Sequence, residues 1–228
     1  MITEPWSSHF DLETPAGGTL KKLVAALPPQ LQFRITLFGS APLQISIEPR
    51  LLSGDVDLFC DDERLAQYIQ QTGLTSDTHR PNIQICSELN FRTSPLWGTR
   101  SSSLRLGNCT FVIPHPIDIL IAKLNRLDEK DLDAFRAVIH KTGHPSETEM
   151  IAELQSAVDL FRPGFDEEQG HDLANNCRRL WPLIYGREID PRREIVAPAL
   201  QKRKAGYGDP PPDYKQELRE IAVVKTVN

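Results

Sequence analysis

The chain has 228 residues, of which 39% are hydrophobic and 25% charged, enough to bury a core and in keeping with one or two globular domains. Its formal net charge of −5 excludes a chain-wide basic field for nucleic acid but leaves room for a local basic groove. Four scattered cysteines, Cys60, Cys86, Cys109 and Cys177, form no CxxC pair and have no histidine at finger spacing, which argues against a zinc module or a disulfide framework and for buried or idle thiols in a reducing compartment. Met1 to Leu12 carries Glu4, His9 and Asp11 and no apolar core of a signal peptide. No run approaches the roughly 18 apolar residues of a membrane span, so the expected setting is cytoplasmic, with no membrane partner.

Residues 1–16 read as an irregular lead-in. Thr19 to Leu27 has Leu20, Leu23, Val24 and Leu27 on one helical stripe and is stopped by Pro28-Pro29. Phe33 to Phe38 reads as a strand ended by Gly39-Ser40, and Ala41 to Ile47 as a short helix. Asp55 to Cys60 is a second strand, Asp61 to Gln71 a helix with Gly73 just past its end, and Asn82 to Cys86 a third strand. A Ser-, Thr- and Arg-rich loop over Asn90 to Ser103, with Ser101–Ser103 beside Arg100, precedes a hairpin turning at Gly107-Asn108. Helical patterns follow over Pro116–Leu127 and Leu132–His140, then from Ser146 to about Tyr185 with a break at Arg162-Pro163-Gly164. Trp181 reads as a core residue and His171 as a surface one. From Arg187 the chain is rich in Pro and charge and reads as extended, with a last amphipathic helix near Tyr214 to Val224. The fold class expected is α/β (α+β). Residues 17–142 form a small mixed sheet with flanking helices, 143–186 a helical region and 187–228 a tail.

Asp55 and Asp57 are separated by one residue in a predicted strand, so both carboxylates face one way and Val56 and Leu58 the other. Two such carboxylates repel, and one stays protonated unless a cation sits between them. Mg²⁺ or Mn²⁺, which takes oxygen ligands and substrate phosphates, is the natural occupant. Gly39-Ser40 offers backbone N–H groups, close approach and a hydroxyl to a phosphate. By itself an Asp-x-Asp usually caps a strand, and a Gly-Ser is usually an ordinary turn. Their succession on neighbouring strands is what suggests a nucleoside triphosphate site.

The stretch LFGSAPLQISIEPRLLSGDVDLF resembles the signature of the polymerase-β-like nucleotidyltransferases, and within them the AbiEii-type group, through Gly39, Ser40, Arg50, Ser53, Asp55, Asp57 and Leu58. VIPHPIDILIAKLNRLDEKDLDAF is similar to the second block of that group at Asp118, Lys123, Arg126, Lys130 and Asp131. The group's second acid in this block falls on Ala134, with Asp133 one place off. The resemblance covers roughly residues 33–139. It implies that Asp55 and Asp57 ligate the metal, that Gly39, Ser40, Arg50 and Ser53 bind nucleotide and phosphate, and that Lys123 and Asp131 join Asp55 and Asp57 in catalysis. Lys123 is expected from the first turns of its helix, either aimed at the triphosphate or snorkelling at the rim. Asp131 is left to contact the metal, orient Lys123 or cap the next helix. The superfamily's third acid position holds Gln84, so the third acid is Glu88, Asp131 or absent. The resemblance further implies transfer of a nucleoside monophosphate to an RNA (tRNA) or protein hydroxyl, in the manner of toxins of toxin–antitoxin or phage-defence systems, with a cognate antitoxin as partner. The other classes are a binding module of the same fold without catalysis, and an antitoxin-like enzyme that modifies a partner protein.

Overall fold

The computed structural model describes residues 9–207 apart from Leu52, Asp61, Asp77 and 163–171. The expected helix near Tyr214 to Val224, His171 and the break at Pro163-Gly164 lie outside the described residues.

The chain is a mixed α/β fold. Five strands, β1 (Phe33–Leu37), β2 (Asp55–Phe59), β3 (Asn82–Ile85), β4 (Ser102–Leu106) and β5 (Cys109–Ile113), form one sheet in the order β3-β2-β1-β5-β4. The central β1 runs antiparallel to β2 and parallel to β5. β2 and β3 are parallel, and β4 and β5 are the antiparallel hairpin expected over Gly107-Asn108. Alternation along the strands gives the sheet two chemically different faces. Phe33, Ile35, Leu37, Val56, Leu58, Ile83, Cys109, Phe111 and Ile113 are buried in one cluster with Leu20 and Leu23 of α1 (Pro15–Ala26) and Leu65 and Ile69 of α3 (Glu63–Gln71). Asp55, Asp57 and Gln84 alternate onto the other face.

α1 begins four residues before the expected Thr19. Thr14 caps it, its hydroxyl accepting from the Gly17 N–H at 3.1 Å, and Pro15 supplies a preset first-turn φ. Gly17 is required by packing, because a Cβ there would lie 2.5 Å from the Leu12 backbone.

A second core cluster carries the helical part. It joins Phe38, Leu43 and Phe91 to α4 (Pro116–Arg126), α5 (Glu129–Thr142), α6 (Glu147–Ser156) and α7 (Leu173–Ile184), with Phe135 and Trp181 fully buried. Trp181 is a core residue as expected, and its indole N–H donates to Glu147 at 2.7 Å. The stretch after Arg187 is not extended through 207: a π-helical turn over Arg192–Val196 leads into α8 (Ala197–Tyr207). Asp190 accepts from the Arg192 and Arg193 N–H groups, and Ile195 and Ala199 are buried. Pro198 has no N–H for the Glu194 carbonyl four residues back. The Gln155 amide supplies that hydrogen bond instead, at 2.9 Å, so the proline sits in a helix without an orphaned acceptor.

The loop before β4 is also more ordered than its composition suggested. Two 3₁₀ turns, Glu88–Asn90 and Trp97–Thr99, shape it, and Ser102 and Ser103 belong to β4. Arg100, which reads as a loop residue, is fully buried. It holds Asp118 with two hydrogen bonds of 2.6 and 2.7 Å and Glu153 with a third of 2.7 Å, tying the loop to α4 and α6.

Candidate active site

A cavity of about 550 Å³ opens over the polar face of the sheet. Its acidic wall is β2. Asp55 and Asp57 both line it, while Val56 and Leu58 are buried on the other side. Gln84 stands in register with Asp57 on the parallel neighbour β3 and also lines the cavity.

Asp57 is held by its neighbours on both flanks. Its carbonyl accepts from the Phe38 N–H at 2.9 Å, and its Oδ1 accepts from the Cys86 thiol at 3.5 Å. Gly39, at φ +62, lies against the same carboxylate, so that a Cβ there would come 2.1 Å from Oδ2. The glycine is therefore demanded twice, by its left-handed backbone and by the acid that fills the space of a side chain. Burial first, then the charge of Asp55, holds the Asp57 carboxyl above its ordinary range, while the Cys86 hydrogen bond and the cations Lys123 and Arg126 pull the other way. Burial and the two carboxylates push the Cys86 thiol up to about 12, so it stays protonated and donates.

The opposite wall comes from α4 and the start of α5. Lys123 lines the cavity with Asp55, Asp57 and Ser40, but from the last turn of α4, not from its first turns: with Pro116 at the helix start, residue 123 lies two turns in. Nor is it a snorkelling rim residue, being only 6% exposed. Its ammonium donates to Ser40 Oγ and to Asp131 Oδ1, each at 2.8 Å, which engages two of its three N–H donors. The return of the chain after α4 makes this pairing. Leu127 adopts a left-handed conformation (φ 53), its N–H donating to the Lys123 carbonyl, and Asp128 opens α5. A leucine in that region costs about 1–2 kcal/mol, offset by its own burial and by the hydrogen bonds the tight turn allows.

Asp131 lies beneath Lys123, fully buried and outside the cavity lining. Its oxygens accept from Lys123, from Arg126 at 3.2 and 3.3 Å, and from the Asp128 N–H at 3.1 Å. Of the roles left open for it, the geometry provides orientation of Lys123 and closure of the helix start, and gives no contact with a cavity ligand.

Other expected positions separate in the same way. Ser53 lines the cavity, its hydroxyl bonded to the Asp55 carbonyl. Arg50 is exposed and outside the lining, because the chain turns over Glu48 after α2 (Ala41–Ser46) and the Arg50 N–H bonds back to the Glu48 carboxylate. Glu88 is exposed and does not line the cavity. β3 ends at Ile85, and Ser87 caps a 3₁₀ turn that carries Glu88 off the strand. Asp118, matched in the second block, is sealed by Arg100. Sequence reasoning missed Asn90, Phe91 and Arg92, which line the cavity from the loop beyond β3, with Phe91 stacked on Phe38 at a ring separation of 4.5 Å.

Among the described residues, the carboxylates lining the cavity are those of Asp55 and Asp57, and the cations are Arg92, Lys123, Arg126 and Lys130. Two of these cations are paired from outside the lining, Lys123 and Arg126 with Asp131 and Arg126 also with Asp128. Among the described residues, no group of three or more His, Cys, Asp and Glu side chains is placed to hold a metal ion. No helix among them is long and apolar enough to cross a membrane. The chain matches no family model, no curated protein and no solved structure.

Proposed function

We propose that this cavity binds a nucleoside triphosphate with a divalent cation and that the chain transfers the nucleoside monophosphate to a hydroxyl of RNA (tRNA) or protein. One observation carries the reading: a one-faced acid pair on β2 looks across a single cavity at a Ser40–Lys123 pair, with three further cations in the lining. Two adjacent hard-oxygen donors, one of them desolvated and reluctant to ionise beside the other, fit a divalent cation, which removes that repulsion. Two carboxylates with water hold such an ion, and ligand phosphates complete its shell, the usual way Mg²⁺ is bound. Bound there, the cation would neutralise charge on the phosphates and polarise the α-phosphoryl group.

In that reading Ser40 and the Gly39 backbone receive phosphate oxygens, and Lys123, fixed by Asp131, meets the charge that grows as the bond between the α- and β-phosphates breaks. The acceptor oxygen forms the new bond to the α-phosphorus, pyrophosphate leaves, and the acceptor's proton passes to water. The likeness to polymerase-β-like enzymes of the AbiEii type supports the same chemistry and suggests a toxin-like setting with an antitoxin partner.

Gln84 favours a second reading. An amide stands in register with Asp57 where an acid would assist the acceptor, and an amide cannot act as a base. A catalytically silent nucleotide-binding module would use the same cavity. Incubation of the protein with each α-labelled nucleoside triphosphate and Mg²⁺, with total tRNA or with the protein alone, separates the two. Label on RNA or protein that disappears in Asp57→Asn supports the transferase. Nucleotide binding with no transfer to either acceptor supports the silent module, and absence of both rejects the site.

A further inference from the structure

We propose that Cys86 is a positioning residue that, with Gly39, clamps the Asp57 carboxylate in the one orientation in which it can take a divalent cation beside Asp55. The inference rests on the reading of Asp57 as a metal ligand. Its support is geometric. The two oxygens of one carboxylate are fixed separately: the Cys86 Sγ lies 3.5 Å from Oδ1, and the space that Gly39 leaves empty is taken by Oδ2.

Both holding elements are tied to the strand that carries the acid. The Phe38 N–H donates to the Asp57 carbonyl at 2.9 Å and sets Gly39 opposite the side chain. The Cys86 N–H donates to the Leu58 carbonyl at 2.8 Å and sets the thiol beside it. The carboxylate thus lies between the turn after β1 and the end of β3, touched from both before a ligand arrives. The thiol is also a suitable donor. Its sulfur is too weak an acceptor to compete strongly for a hard cation. Hydrogen bonds to a ligating carboxylate orient it, and losing one typically lowers metal affinity about 10–100-fold.

The test uses Mn²⁺ alone, followed by water-proton relaxation, on the full chain and on Cys86→Ala, Cys86→Ser and Asp57→Asn, with a melting curve for each. The expected result is a loss of about tenfold in Mn²⁺ affinity for Cys86→Ala, recovery of most of it in Cys86→Ser, which restores a donor, and loss of binding in Asp57→Asn. A merely packing role for Cys86 would move the melting temperature without this rescue. If Asp57→Asn loses Mn²⁺ while Cys86→Ala keeps or exceeds wild-type affinity, the positioning role falls and the site reading stands. If Asp57→Asn binds Mn²⁺ like wild type, or wild type binds none, both fall.

Discussion

The two ends of α4 solve the same electrostatic problem in opposite ways. At its start Asp118 meets Arg100, which also holds Glu153, and all three side chains are fully buried. At its end Lys123 and Arg126 both meet Asp131, but the lysine reaches the cavity and also bonds Ser40. The first network closes on itself and has only protein to hold. The second has its fixed acid on the inside and its cations on the cavity side, so it keeps positive charge available to an anion. The difference lies in which member faces the open space, not in residue type.

The sealed end should show the largest stability effect. Arg100→Leu strands two buried carboxylates, and breaking such a network typically costs about 3–5 kcal/mol. Chemical denaturation should show this loss. A loss under about 1 kcal/mol would mean that Asp118 and Glu153 find other partners. At the cavity end the effect should move from stability to rate. Lys123→Ala should lower nucleotidyl transfer about a hundredfold to a thousandfold, the value of one charge-stabilising donor. Because the lysine is buried and paired, its melting temperature should also fall, by the equivalent of about 1–3 kcal/mol, since Asp131 keeps Arg126 and the Asp128 N–H. A mutant that melts lower yet keeps full transfer would make the two ends alike.

Acidity separates them further. His115 caps α4 beside the sealed network, and burial, aided by the Arg100 charge, pushes its imidazole down to about 4 from 6.5. The unfolded chain then binds the extra proton first, so stability is full above pH 6.5 and is lost as the pH falls toward 4, by on the order of 2–4 kcal/mol. His115→Asn, which keeps a cap acceptor, should flatten that loss in melts between pH 7 and 4. Asp57 has the opposite sign. Its carboxyl is raised above the ordinary 3.8, so the folded chain holds the proton longer and stability falls as the pH rises through that window. In the absence of metal, Asp57→Asn should melt above wild type at neutral pH, with the advantage shrinking toward pH 4. Equal melts at both pH values would show that the acid pair is not strained.

How much of this was legible follows from chain distance. The five strands, the common face of Asp55 and Asp57 and the turn at Gly39-Ser40 follow from local alternation and from glycine's freedom, because each depends on neighbours within a few residues. The lysine's approach to Ser40 spans 83 residues and came only through a family likeness. Where expectation and position differ, a local feature intervenes: the Ser87 cap carries Glu88 off β3, and a proline accommodated by Gln155 lets the helix continue after Arg187, while Arg50, matched only through the family likeness, is turned away at Glu48. The buried Arg100 gave no sequence signal, because its two acids are 18 and 53 residues away.

The most direct test of the central claim is calorimetric titration of each Mg²⁺–nucleoside triphosphate into the wild-type chain and into Asp57→Asn, a substitution that removes the charge at almost constant size. At least one triphosphate should bind wild type in a Mg²⁺-dependent manner, and Asp57→Asn should lose that binding while keeping its fold. Equal affinity in the two proteins, or no binding of any of the four triphosphates to wild type, would contradict the account.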